Sequence, residues 1–140
     1  MQAADPTTAK RKAMQAQRER NTSPELALRR VLHGRGLRYR LHRSIVCGTR
    51  RSVDIVFVRA RVAVDVRGCF WHGCPEHATT PKSNTDWWTA KLDRNVARDA
   101  DTVRRLSEAG WQVIVVWEHE DAEIAADRIE LLVRSGYLRP

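Results

Sequence analysis

The residues best suited to chemistry are concentrated in one short segment, residues 68–77, with the sequence GCFWHGCPEH. Cys69, Cys74 and His77 have the spacing C-x4-C-x2-H within it. Zinc prefers thiolate and imidazole ligands, and a closed structural site needs four. His119, which directly follows an apolar segment, is the best candidate for the fourth. The pattern predicts a structural zinc site, and the alternative is free cysteines beside solvated histidines.

His72 lies in the same segment and has a different candidate role. An imidazole titrates near neutral pH, which suits histidine to act as a general base. Zinc ligands on both sides of His72 would hold the loop and orient its ring. From the spacing alone, a further ligand or a surface histidine agrees with the sequence equally well.

Large aromatic residues stand beside these candidates. Phe70 and Trp71 directly precede His72, and Trp87 and Trp88 begin the segment 87–109, in which apolar residues recur at helical spacing. In a basic protein such side chains can stack on bases or wedge between base pairs, and the alternative is that they pack locally in the core. Helical periodicity places Trp88 towards the core.

Two carboxylates interrupt apolar segments that have the composition of strands. Asp54 lies within VDIVFV and Asp65 within RVAVDV. A buried carboxylate is unfavourable unless it is paired or binds a cation, and magnesium prefers carboxylate oxygen. Asp54 is therefore a candidate magnesium ligand, with an arginine ion pair as the alternative. Asp65 is either a second ligand or the ion-pair partner of Arg67 on the same strand face, and we favour the ion pair.

The pattern of apolar residues predicts the elements that position these groups. A helix begins at the capping sequence Thr22-Ser-Pro-Glu25 and ends near Gly34 and Gly36. The remaining expectations are a weak strand at 39–45, a hairpin of strands 53–58 and 61–66, a helix at 87–109, a fully buried strand at 112–117 and a helix at 120–134. This order predicts an α/β fold with a central mixed sheet flanked by helices.

Composition narrows the class of function. The 140 residues include 25 Lys and Arg against 17 Asp and Glu, a net charge of +8, which favours a polyanionic partner such as nucleic acid. Residues 1–20 form a flexible basic arm in this interpretation, followed by one domain at 21–140. No apolar run is long enough to span a membrane and no export signal is evident, so a cytoplasmic, nucleoid-associated protein is expected.

The motifs GCFWHGCPEH, PKSN, WW, KL, NVARD, GW and VVWE occur in this order over roughly residues 10–120. Together they resemble the very-short-patch repair (Vsr) endonucleases. The resemblance implies the restriction-endonuclease-like fold and nicking of the T-containing strand at T:G mismatches left by 5-methylcytosine deamination. It also implies catalytic Mg²⁺, a structural Zn²⁺, and double-stranded DNA as the partner of a monomer. MutL and a cytosine-5 methyltransferase would be functional partners.

The resemblance also implies a role for each matching residue. Asp54 and the backbone carbonyl of Val66 would bind magnesium, and His72 would be catalytic with Glu25 and Asp99 in support. The residues implied in DNA contact are Phe70, Trp71 and Trp88 as intercalating aromatics, and Lys12 and Arg67 as basic groups. The zinc positions are Cys69, Cys74, His77 and His119. For Trp88 this role replaces the expectation from periodicity.

Four positions depart from the family pattern. Val66 replaces a threonine, Arg67 replaces a second active-site histidine, Asp65 stands at a usually apolar position, and His119 replaces a cysteine. Two alternative functions remain: a nuclease of the same fold with another DNA target, and a non-catalytic, zinc-stabilised DNA-binding module. The presence of Asp54 and His72 argues against the second of these.

Overall fold

The computed structural model describes residues 22–74, 76 and 84–137, so the basic arm at 1–20 lies outside the described residues. Four helices and four strands occur within these ranges. In chain order they are α1 (Ser23–Gly34), β1 (Arg40–Arg43), β2 (Val53–Phe57), β3 (Val62–Arg67), α2 (Cys69–His72), α3 (Thr85–Glu108), β4 (Gln112–Trp117) and α4 (Ala122–Tyr137). The expected α/β architecture is confirmed, with one short helix, α2, where the sequence analysis placed a loop.

The strands form a single mixed sheet with the order β1-β2-β3-β4. β1, β2 and β3 pair antiparallel, and β4 joins β3 in parallel, opposite Val62 to Arg67. The predicted hairpin of β2 and β3 is confirmed. The expectation of a fully buried β4 is wrong, because only Ile114 and Val116 in it are buried. β4 lies at the edge of the described sheet, where alternate side chains are less covered.

Helix α1 begins as its capping sequence predicts. Thr22 has an extended backbone and its side-chain oxygen accepts a hydrogen bond from the Glu25 N–H at 3.4 Å. Beyond the helix, Arg35 forms ion pairs with three carboxylates of α4. They are Glu123 at 2.7 Å, Asp127 at 2.7 Å and Glu130 at 3.2 Å. This arginine therefore ties the end of the first helix to the last helix of the chain.

The two faces of the sheet carry separate hydrophobic cores. The larger core joins α1 and α4 to one face, through residues such as Leu32, Phe57 and Ile129. The smaller core joins α3 to the other face and contains Leu106 and Ala63. Strand alternation sends Ala63 and Asp65 to this second face. The carboxylate therefore lies just beyond the end of the smaller core.

Helix α3 follows its predicted apolar stripe only in part. Trp88 and Leu106 are buried, but Val96, midway between them, is 45% exposed. The middle of the stripe is therefore less covered than its two ends, although Val96 lies close to Gly73. No helix in the described ranges is long and apolar enough to cross a membrane.

Candidate active site and metal centre

Asp54 lies at the start of β2 and makes an unusual contact across the hairpin. Its Oδ2 accepts a hydrogen bond from the backbone N–H of Val66 in β3, at 2.8 Å. Burial, together with the nearby Asp65 and Glu25 carboxylates, raises the pKa of Asp54 to about 8, although the Val66 N–H opposes the shift. Carboxylates crowded in this way are stabilised by a bound cation, so the donor set fits a magnesium site.

A cavity of about 180 Å³ opens beside this carboxylate. Its lining brings together residues of β2, β3, α2 and α3. They include Asp54, Asp65, Val66, His72, Asp99 and, from the sequence between β1 and β2, Arg51. Five of the positions singled out from the sequence thus border one space, although they are up to 45 residues apart in the chain (54 to 99). The lining is rich in polar side chains, as a hydrolytic site requires.

His72 is oriented by Asp99 of α3. The Nδ1 of His72 lies 2.5 Å from Asp99 Oδ2. A carboxylate can only accept here, so Nδ1 carries the proton and Nε2 is left with its lone pair. Both side chains are largely buried, with 16% and 15% exposed. The arrangement is that of a general base held by a carboxylate.

Asp65 and Arg67 form the ion pair that the sequence suggested. Arg67 Nε lies 2.9 Å from Asp65 Oδ2, and the guanidinium carbon lies 5.8 Å from the centre of the Trp117 ring. The Arg67 side chain is only 11% exposed, so most of it is packed rather than presented to solvent. Asp65 still lines the cavity beside Asp54, so its role as a magnesium ligand stays a prediction.

Glu25 is almost fully buried, at 1% exposure, and pairs with Arg29 at 2.9 Å. Its neighbour His42 was not among the residues singled out from the sequence. The Nε2 of His42 lies 3.5 Å from Glu25 Oε2, and its Nδ1 lies 3.9 Å from Asp54 Oδ1. The one available signal was position: β1 pairs with β2 so that residue 42 falls opposite Asp54. Because the sequence predicted β1 only weakly, its register with β2 could not be predicted.

Three of the four predicted zinc ligands come together. The Nδ1 of His119 lies 3.2 Å from Cys69 Sγ and 3.6 Å from Cys74 Sγ. Tetrahedral zinc with bonds of about 2.3 Å to sulfur and about 2.1 Å to nitrogen would place such atoms about 3.6 Å apart. Burial and the Cys74 thiol raise the pKa of Cys69 to about 12. These residues fit a zinc ion, while His77 lies outside the described residues.

Two further glutamates border this cluster and were not predicted. Glu118 accepts a hydrogen bond from the Cys69 backbone N–H at 2.9 Å, and Glu76 Oε2 lies 3.5 Å from His119 Nε2. Glu118 links the segment after β4 to the first residue of α2. The spacing of acidic residues alone gave no sign of this contact, because it depends on the parallel pairing of β3 with β4.

The candidate DNA-contacting residues are only partly described. Lys12 and the side chains of Phe70 and Trp71 lie outside what the structure describes. Trp88 is 7% exposed and packs edge-on against Trp87, which is 43% exposed, with ring centres 4.7 Å apart. Periodicity placed Trp88 in the core correctly. Its role as an intercalating aromatic stays a prediction.

Comparison with known proteins decides the family. Residues 3–77 match the family described as DNA mismatch endonuclease Vsr. The chain belongs to the Vsr family. It is similar to the type II nicking enzyme V.NaeI of Lentzea aerocolonigenes, at 46% identity over 80% of the chain and 69% of that enzyme. It is also similar to the type II nicking enzyme V.XorIIP of Xanthomonas oryzae pv. oryzae, at 44% identity over 84% of the chain and 85% of that enzyme.

A third relative carries the family's own name. The DNA mismatch endonuclease Vsr of Escherichia coli is 36% identical over 76% of the chain and 67% of that enzyme. These relatives are endonucleases or nicking enzymes, which are hydrolases acting on DNA. The resemblance found in the sequence and the expectation of a Vsr-type endonuclease are both confirmed.

Proposed function

We propose that the protein nicks the T-containing strand of double-stranded DNA at T:G mismatches that arise from deamination of 5-methylcytosine, by Mg²⁺-dependent phosphodiester hydrolysis. The observation that carries the proposal is the cavity in which Asp54 and the His72–Asp99 pair face one space. A hydrolytic site needs a group that anchors a cation and a group that accepts a proton, and the cavity provides both.

Asp54 and the backbone of Val66 are the proposed holders of magnesium. When bound, the ion supplies charge stabilisation to the phosphate that is being cleaved. Asp54 is positioned for this because its Oδ2 is fixed by the Val66 N–H at 2.8 Å. Glu25, buried behind the site, adds negative charge that favours cation binding. Asp65 shares its charge with Arg67, which limits repulsion between the carboxylates.

His72 is the proposed general base. Its Nε2 accepts the proton of the attacking water, while Nδ1 keeps its hydrogen bond to Asp99. The carboxylate stabilises the imidazolium that forms and prevents the ring from turning. Asp99 therefore acts through His72 as a positioning residue. We propose that Asp54 and His72 are the two principal catalytic residues and that Asp99 and Glu25 support them.

Cys69, Cys74, His77 and His119 are the proposed ligands of a structural zinc ion. Cys69 and His72 are the first and last residues of α2, which has four residues. A zinc ion at Cys69 would therefore hold the same turn that carries the base. The zinc would tie this turn to His119, beyond the end of β4, and so add to the link that Glu118 already makes.

The proposed DNA interface combines aromatic wedges and basic residues. Phe70, Trp71 and Trp88 would open the stack beside the mismatch, where unstacking costs least free energy. Lys12 in the arm at residues 1–20, and Arg67, would contact phosphates, which supplies affinity without sequence information. We further propose a cytoplasmic monomer associated with the nucleoid, with MutL and a cytosine-5 methyltransferase as functional partners.

A second target class is supported by the comparisons. Two relatives named type II nicking enzymes are 46% and 44% identical to the chain, whereas the mismatch endonuclease of Escherichia coli is 36% identical. A nickase of the same fold with another DNA target is therefore the alternative.

Nicking assays on paired duplexes separate these candidates. The protein is incubated with Mg²⁺ and duplexes that differ only in one T:G or C:G pair, across a panel of flanking sequences. Cleavage of the T strand in T:G duplexes alone supports the proposal. Equal cleavage of the matched duplex supports the alternative target. Binding without cleavage on every duplex, with zinc and magnesium present, would contradict both and favour a DNA-binding module.

A further inference from the structure

His42 is the least explained residue near the site. It is not glycine, yet its φ is +50°, in the left-handed region that few residues other than glycine adopt. Backbone conformations of this kind persist when surrounding contacts impose them, and they cluster at functional positions. The two neighbouring register pairs, Leu41 with Ile55 and Arg43 with Val53, are regular, so the distortion is confined to residue 42.

The His42 ring is buried without a hydrogen-bond partner among the described residues. Both Nδ1 and Nε2 are inaccessible and unsatisfied, and the side chain is 12% exposed. Burying an imidazole nitrogen without a partner is unfavourable, and natural proteins supply water, an ion or a polar group at such positions. Two unsatisfied nitrogens on one ring therefore indicate that something binds there.

The surrounding charges indicate what binds. One ligand atom from each of Glu25, His42 and Asp54 lies within 4.8 Å of the other two. The Nε2 of His42 lies 3.5 Å from Glu25 Oε2 and its Nδ1 lies 3.9 Å from Asp54 Oδ1, and both separations are too long for good hydrogen bonds. Octahedral bonds of about 2.1 Å place ligand atoms between about 3.0 and 4.2 Å apart. One imidazole nitrogen binds the ion, so a bound cation would draw the three ligand atoms, which lie within 4.8 Å of one another, slightly closer together.

We propose that Glu25, His42 and Asp54 form a mixed nitrogen–oxygen site that binds a divalent first-row transition-metal ion in preference to Mg²⁺. The site rests on the proposed function, because it shares Asp54 with the proposed magnesium centre. Imidazole nitrogen favours transition ions, whereas Mg²⁺ favours oxygen ligands and retains water. Neither Glu25 nor His42 lines the cavity that holds His72, so the ion lies beside that cavity.

Asp54 can serve both places because its two oxygens are engaged differently. Oδ2 accepts the Val66 N–H, and Oδ1 is the atom nearest His42. The Glu25 carboxylate also pairs with Arg29 through Oε2. The two carboxylates carry two negative charges and the imidazole is neutral, so a divalent cation neutralises these three side chains. Arg29 contributes one further positive charge beside Glu25.

The test is a Co²⁺ titration of the full-length protein loaded with one equivalent of zinc, without DNA. Co²⁺ is paramagnetic, so an imidazole bound to it gives strongly shifted proton resonances. We expect one such imidazole in the wild type and none from residue 42 in His42→Asn. Asparagine tolerates the left-handed backbone but cannot reach both carboxylates. The Co²⁺ dissociation constant should rise by about ten- to a hundredfold, with a smaller change for Mg²⁺.

His33→Gln is the matched control, because His33 is an exposed histidine in the last turn of α1. It should keep both the shifted resonance and the wild-type Co²⁺ affinity. Glu25→Gln, which retains the side-chain volume, provides a second variant and should also weaken Co²⁺ binding. Thermal melts of each variant establish that it is folded at the titration temperature.

Unchanged Co²⁺ affinity in His42→Asn, equal losses for Co²⁺ and Mg²⁺, or a wild type without a shifted imidazole would each overturn the inference. None of these results bears on nicking. Failure of the proposed function is read separately, as absence of Mg²⁺-dependent cleavage of the T:G duplex by the wild-type protein.

Discussion

The two faces of the sheet are built from the same strands but differ in how much apolar packing and how many carboxylates they carry. The face under α1 and α4 carries a continuous core that runs from Leu28 to Val133. The face under α3 carries a small core, and beyond it the cavity begins, lined by Asp54 and Asp65. Apolar packing is therefore concentrated on the first face, where Glu25 of α1 is the one buried carboxylate among the described residues. Buried charge, which costs stability, is concentrated at the proposed cation site.

The largest effect should come from the polar face, through Asp54→Asn. We expect nicking to fall by about a thousandfold or more, because the proposed cation loses its main anchor, which corresponds to about 4 kcal/mol in activation free energy. Folding should survive, since the carboxylate is destabilising in the absence of a cation. Single-turnover nicking and DNA-binding measurements test this, and loss of binding in step with cleavage would contradict it.

The same carboxylate predicts a pH dependence that the apolar face does not share. Its pKa is raised to about 8 in the folded protein from an ordinary value of 3.8. Between those values the folded state holds a proton that the unfolded state has released, so the metal-free protein should lose stability as pH rises. Denaturant unfolding of wild type and Asp54→Asn at several pH values should show a steeper decline in the wild type.

On the apolar face, we expect side-chain truncation to lower the free energy of unfolding, in contrast to Asp54→Asn, which should leave the fold intact. Leu32→Ala removes a fully buried side chain from the larger core, and we expect a loss of about 2–5 kcal/mol in the free energy of unfolding. Val113→Ala, at a half-buried position of β4 that packs against the smaller core, should cost less than about 1.5 kcal/mol. Urea denaturation measures both. Equal losses would show that the smaller core contributes as much as the larger one.

Zinc provides an intermediate test, because its proposed ligands lie at the edge of the polar face. Cys74→Ser should lower nicking by roughly ten- to a hundredfold by loosening the turn that holds His72. It should also lower the melting temperature of zinc-loaded protein, since metal binding free energy contributes to folding. Cys47→Ser is the matched control, because Cys47 is exposed and is not part of the cluster of Cys69, Cys74 and His119. Elemental analysis without zinc would refute the assignment.

The smallest effect should come from Asp65→Asn. If its main role is the ion pair with Arg67, nicking should stay within about tenfold of wild type while stability drops by about 1 kcal/mol or more. Asparagine leaves a largely buried guanidinium without its counter-charge. A variant as inactive as Asp54→Asn, and rescued by raised Mg²⁺, would instead make Asp65 a metal ligand.

Much of this architecture could be predicted because it rests on local signals. The cap at Thr22, the β-branched residues of the hairpin and the periodicity of α3 each specify an element directly. The ordered motifs identified the family, and five of the positions singled out from the sequence line the cavity. These signals depend on residues close together in the chain, so they are visible without a structure.

The remainder depends on register between distant segments. His42 became significant only when β1 placed it opposite Asp54, and Glu118 only when β4 placed it beside Cys69. The exposure of Val96 has the same origin, because α3 passes the cavity midway along its length. No pattern within one element encodes such contacts, which arise when strands choose their partners.

The parallel pairing of β3 with β4 also determines when the activity can appear. Residues 68–111 connect these two strands, and they carry His72 and Asp99, while Asp54 precedes them. Pairing strands so far apart in the chain is slow, because the loop must close before its contacts form. During synthesis the hydrolytic cavity therefore assembles only after β4 has emerged from the ribosome. A nascent chain that ends before β4 lacks both the parallel partner strand of β3 and Val113, so its cavity is incomplete.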